Sequence, residues 1–100
     1  MAEIVFLPQA VETLKKISEG YDASVPGYRD RAMEQLIARF MVLEYSPEIG
    51  NAHPDPFLAL LDYRVLIFRD YGGVYRLLGA SAYVYGIYGV SGTDEEWLQE

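Results

Sequence analysis

The carboxy-terminal half of the chain carries three runs dense in branched and aromatic residues, roughly Tyr63–Arg69, Val74–Leu78 and Ala82–Val90. Arg69-Asp70-Tyr71-Gly72-Gly73 separates the first two, and Gly79-Ala80-Ser81 the last two. Branched and aromatic side chains suit a pleated surface, and glycine clusters between such runs mark reversals, so the pattern predicts a three-stranded antiparallel meander. Both sides of each run are largely apolar, which predicts a sheet covered on much of both faces.

The amino-terminal half reads differently. Glu3-Ile4-Val5-Phe6-Leu7 is a short strand stopped by Pro8, a residue suited to the first helical position because its missing N–H would be unpaired there. Ala10, Val11, Leu14 and Ile17 then recur at helical spacing, Glu12 and Lys16 form an i,i+4 pair, and Gly20 is a natural stop. After a turn-rich connector over Tyr21 to Gly27, a second amphipathic helix is expected over about Tyr28 to Tyr45. Its apolar stripe is Ala32, Met33, Leu36, Ile37, Phe40 and Leu43, with Arg29, Asp30, Arg31, Glu34 and Arg39 outward. Pro47 and Gly50 end it, Asn51 to Pro56 reads as an exposed loop, and Phe57 to Leu61 fits either strand or one helical turn. In the tail, Thr93 could cap one helical turn that begins with Asp94, Glu95 and Glu96. The order is βααβββ: a single α+β domain over residues 1–100, a helical hairpin packed on one face of an antiparallel sheet through Leu14, Ile17, Leu36, Ile37 and Phe40.

Composition narrows the function. Apolar residues make up 51%, enough for a globular core, and there is no cysteine, which excludes thiolate chemistry and Cys-based zinc sites and fits a reducing, cytoplasmic setting. The acidic amino end predicts no export signal, and no window reaches the length of a membrane span. A formal net charge of −7 opposes general nucleic-acid binding, so an anionic partner would have to be held locally.

Local cations are few. Arg64, Arg69 and Arg76 are the only Lys or Arg residues after position 39, and all three lie in the meander. With the neighbouring Tyr75 they are the candidate target-binding residues, against the plainer reading that they pair with nearby carboxylates. Arg64 and Arg69 have opposite parity in a regular strand. An even hairpin loop would place Arg76 with Arg69, and an odd one would place it with Arg64. His53, the only histidine, lies near Asp55 without the spaced ligands a metal needs, and reads as a loop residue. Most of the nine tyrosines read as half-buried sheet surface. Gly86, Gly89 and Gly92 follow no phosphate-loop pattern. No catalytic residue, cofactor or metal is assigned.

The chain resembles the RelE/ParE superfamily of small bacterial toxins from type II toxin–antitoxin systems. The matching features are Phe6-Leu7-Pro8-Gln9-Ala10 with Leu14 and Ile17, then Leu43-x-x-x-Pro47-x-x-Gly50, Asp62-Tyr63-Arg64-Val65, Val74-Tyr75-Arg76-Leu77-Leu78 and a last strand reaching Tyr88-Gly89-Val90. The resemblance implies a cytoplasmic bacterial protein of a plasmid-stabilisation type, neutralised by a small cognate antitoxin. It also implies one of two modes of action: RelE-like cleavage of messenger RNA on the ribosome, or ParE-like poisoning of DNA gyrase without nuclease chemistry. Arg64 and Arg76 fit the family's strand arginines. Where RNA-cutting members carry a basic or histidine residue after the last strand, this chain has Asp94, Glu95 and Glu96, which would repel a phosphate. The ParE-like side is therefore expected, with an endoribonuclease or a non-toxic interaction module as the alternatives.

Overall fold

The computed structural model describes residues 1–21 and 24–89. The expected tail turn at Thr93 to Glu96, and the end of the last strand at Val90, lie outside the described residues. The elements are β1 (Glu3–Phe6), α1 (Pro8–Gly20), α2 (Tyr28–Met41) running into a 3-10 turn over Val42–Glu44, β2 (Asn51–Ala52), α3 (Pro56–Leu60), β3 (Tyr63–Phe68), β4 (Tyr71–Leu78) and β5 (Ser81–Gly89).

Helix α1 opens with Pro8 at its first position, as expected, and its last helical residue is Gly20. Helix α2 starts behind Gly27, whose φ of +74° only glycine adopts without strain. Asp30 in its first turn and Arg39 in its last complement the helix dipole. Phe57 to Leu61 resolves as helix rather than strand, because the Asp55 carboxylate accepts hydrogen bonds from the Phe57 and Leu58 N–H groups.

Among the described residues the sheet has five strands, in the order β1-β5-β4-β3-β2. The meander β3-β4-β5 is antiparallel, but β1 lies parallel to β5, so the sheet is mixed. Asn51–Ala52, expected as loop, pairs with Val65 and Arg64 and adds the far edge strand. Register and core membership identify the helix-covered face. Ile4 and Phe6 of β1, Leu66 of β3, Tyr75 of β4, and Ala82, Val84 and Ile87 of β5 join Ala10, Leu36, Phe40 and Leu43 in one cluster. Val65 is buried but stands outside that cluster, as its opposite parity requires.

The hairpin between β3 and β4 is tighter than expected. Phe68 pairs with Tyr71, so only Arg69 and Asp70 make the turn, and Gly72 and Gly73 lie inside β4. Their glycine character has a packing cause. A Cβ on Gly73 would come within 2.2 Å of the Phe40 ring, and one on Gly72 within 2.8 Å of the Tyr88 ring. Each glycine thus seats one aromatic side chain, on opposite faces of the sheet. Phe40 is 1% exposed and meets Phe6 edge-on at 5.8 Å, tying α2 to both β4 and β1.

Of the residues expected to pack the helices onto the sheet, Leu36 and Phe40 are buried and Leu14 and Ile17 partly so. Ile37 is the correction. It is 37% exposed, because the helix buries the Leu36–Phe40–Leu43 line and turns Met33, Ile37 and Met41 to its flank. Replacing Phe40 by Ala should cost about 3–5 kcal/mol in denaturant unfolding, while Ile37→Ala should cost less than about 1 kcal/mol.

Candidate functional site

The two-residue turn settles the register of β3 against β4: Tyr63 faces Arg76 and Arg64 faces Tyr75. Paired residues share a face, so Arg64 and Arg76 project from opposite sides of the sheet. Arg69 joins neither. Strand β3 ends at Phe68, and Arg69 takes a φ of +54° in the turn, so strand parity no longer governs it.

On the helix-side face, Arg64 and Tyr75 hold the Pro47–Gly50 loop. The Tyr75 hydroxyl accepts from the Gly50 N–H at 2.9 Å and donates to the Pro47 carbonyl at 2.8 Å. Arg64 donates to the Glu48 and Gly50 carbonyls at 3.2 and 3.0 Å. Gly50 fits there because a Cβ would press on the Tyr75 ring at 2.7 Å. Burial raises the Tyr75 phenol above its ordinary pKa, partly offset by the Gly50 hydrogen bond and Arg64, so the hydroxyl stays a donor. Tyr75 is 0% exposed. Its expected role as a contact for a target is therefore corrected: the side chain is an internal post on which the exit loop of α2 hangs. The signal was present in the sequence as Pro47 and Gly50, but nothing local linked them to a tyrosine 25 residues later.

The other face carries a row of polar and aromatic groups. The Arg76 guanidinium lies 5.1 Å from the centre of the Tyr63 ring, a cation–π contact, and Tyr63 packs edge-on to Tyr85 at 5.2 Å. A bulge brings Tyr85 there. Val74 pairs with Gly86 and Tyr75 with Val84, which leaves Tyr85 as the extra residue. Tyr83 stands opposite Arg76. The Arg76 Nε is buried and, among the described residues, has no hydrogen-bond acceptor. His53 continues the row at its backbone, since its N–H donates to the Tyr63 carbonyl. Its ring is turned into its own loop, where Nδ1 accepts from the Asp55 N–H at 3.0 Å.

Arg69 points instead to a cavity of about 360 Å³ between α2 and the β3–β4 turn, shared with Arg31, Tyr21, Tyr28 and Tyr71. Sequence reasoning missed this grouping, since it draws on the helix connector, α2 and the turn. Among the described residues no group of three or more His, Asp or Glu side chains could hold a metal, and no helix is long and apolar enough to cross a membrane.

The chain belongs to the ParE toxin family of type II toxin–antitoxin systems. The family model for the ParE toxin of the parDE system matches residues 4–97. A solved structure, the chromosomal ParDE TA system from P. aeruginosa, superposes with a TM-score of 0.72 and 16% sequence identity, covering 89% of this chain and 96% of that one. At that identity the likeness concerns the fold, and it confirms the α+β arrangement of a helical pair on a sheet. No curated protein sequence matches.

Burial raises the Tyr71, Tyr75 and Tyr88 phenols, Tyr88 to about 12. The folded protein thus keeps phenolic protons that the unfolded chain releases near pH 10. Stability from these groups is present below about pH 10 and is lost as pH rises towards 12. Urea midpoints measured between pH 9 and 12 should fall steadily, and Tyr88→Phe should flatten the slope.

Proposed function

We propose that the protein is a ParE-like toxin that arrests growth by binding a target protein, DNA gyrase in the first instance, and that a cognate antitoxin neutralises it. The setting is the cytoplasm of a bacterium, with the gene pair serving plasmid stabilisation. The observation that carries the reading is the Arg76 row. A cation stacked on Tyr63, with Tyr83 and Tyr85 beside it, suits recognition of a protein surface, where arginine and tyrosine are the usual anchors. Phosphodiester cleavage needs a general base and clustered cations, whereas the strand arginines are divided between two faces and Arg64 is committed to two carbonyls.

Antitoxin binding is supported by the outer flank of α2. Met33, Ile37, Ala38 and Met41 line an apolar groove of about 460 Å³, edged by Asp30 and Glu34. Such a groove suits the apolar face of an amphipathic segment that folds on binding. Because the contact is mainly apolar, its affinity for the purified antitoxin should change by less than about threefold between low and high salt. A steep salt dependence would contradict an apolar groove.

A second reading, a ribosome-dependent mRNA endoribonuclease, draws on one observation: the β2–β3 ladder continues to His53 and sets it beside Tyr63, in the same row as Arg76. The two readings separate in one experiment. Induced expression should arrest growth while ribosome-bound messenger stays intact, and purified protein should inhibit gyrase supercoiling. Arg76→Ala should weaken that inhibition at least about tenfold without unfolding the domain. Codon-dependent messenger cleavage lost in Arg76→Ala and His53→Ala would install the nuclease. Harmless expression with neither target bound would leave a non-toxic interaction module.

A further inference from the structure

The two hairpins of the meander have the same construction. Each has a two-residue turn, Arg69–Asp70 between Phe68 and Tyr71, and Gly79–Ala80 between Leu78 and Ser81. Each needs a positive φ at its first central residue, +62° at Gly79 and +54° at Arg69. Glycine meets that demand freely, whereas any other residue, arginine included, takes it at a steric cost. An arginine held in a conformation suited to glycine directs attention to what its side chain does.

Arg69 lies along the Phe68 ring, its guanidinium carbon 5.1 Å from the ring centre, at the rim of the cavity. Across it Arg31 of α2 supplies a second guanidinium, and among the described residues neither is engaged by a carboxylate. The walls are aromatic. Tyr21 and Tyr28 meet edge-on at 5.5 Å, and Tyr71 lines the same cavity beside them. Burial and these neighbours raise the Tyr71 phenol above its usual pKa, so it remains a neutral donor. Gln35 adds an amide that donates and accepts, and Asp70 adds a carboxylate with two acceptor oxygens.

We propose that this cavity binds a ribonucleoside monophosphate, with Arg31 and Arg69 on the phosphate and the base against the tyrosine rings. Two forked cations match a phosphate, and planar rings match a base. Asp70 would oppose a bare anion but accepts from ribose hydroxyls, and Gln35 reads a base edge in either direction. A volume of about 360 Å³ lies in the range of small-molecule sites and exceeds what an inorganic anion fills. The site lies apart from the Arg76 row and from the α2 groove, and it stands or falls independently of the toxin reading.

The test is titration of the full chain with adenosine monophosphate, adenosine and inorganic phosphate, followed by calorimetry and by amide and side-chain NMR shifts. The monophosphate should bind saturably and shift Arg31, Arg69, Tyr21, Tyr28 and Tyr71, while adenosine and phosphate each bind at least about tenfold more weakly. Arg69→Gly, which suits the turn as Gly79 suits the other one, should leave the melting temperature unchanged or raised while weakening binding about tenfold. Arg31→Gln, on an exposed helix position, should weaken it similarly. No saturable binding at millimolar nucleotide would overturn the proposal. So would equal affinity for phosphate alone, equal affinity for adenosine alone, or shifts confined to other residues.

Discussion

The turn at Arg69–Asp70 fixes β3 against β4, and everything functional in the sheet depends on that register. A slip of one residue would exchange the side chains of one strand between the helix-covered face and the opposite one. With the observed pairing, Arg64 and Tyr75 stand together beneath the exit of α2 and bind the Pro47–Gly50 loop through four hydrogen bonds. Tyr63 and Arg76 stand together on the other side, stacked as a cation on a ring. One arginine becomes scaffold and the other becomes surface.

The two glycines after that turn extend the same logic into packing. Gly73 leaves room for Phe40 and so lets α2 lie close on the sheet, and Gly72 leaves room for Tyr88 on the far face. Because Leu36, Phe40 and Leu43 are used inward, Ile37 and Met41 stay exposed on the flank of α2, beside a Met33 that is partly packed on the core. A small domain has too little polar surface to cover every helix flank, and the antitoxin site proposed above is the apolar groove that the described residues leave on this one. The Arg76 row, reached from the opposite side, remains separate from it.

Much of this was legible in the chain. The three branched and aromatic runs, Pro8 at a helix start, the Leu36 and Phe40 spacing and the βααβββ order of the main elements, without β2 and α3, all follow from local pattern. The failures have physical causes. Gly72-Gly73 looks like a reversal, because sequence does not distinguish a glycine that turns the chain from one that makes room for a ring. Asn51–Ala52 carries no strand signal and pairs only because β3 offers an open edge. Tyr75 resembles every other tyrosine of the meander until register turns it inward. The cavity that joins Arg31, Arg69 and the tyrosines arises from residues more than thirty positions apart, which periodicity does not connect. The parallel placement of β1 beside β5 is likewise a tertiary fact.

The division of Arg64 and Arg76 between two faces is the claim on which the functional account rests, and cross-strand NOEs in the free protein test it directly. Isotope-edited spectra should link Tyr63 with Arg76 and Arg64 with Tyr75, with the Tyr75 ring close to Gly50. Contacts joining Tyr63 to Tyr75 and Arg64 to Arg76 would place both arginines on one face. That result would contradict the account and return the paired-arginine site to consideration.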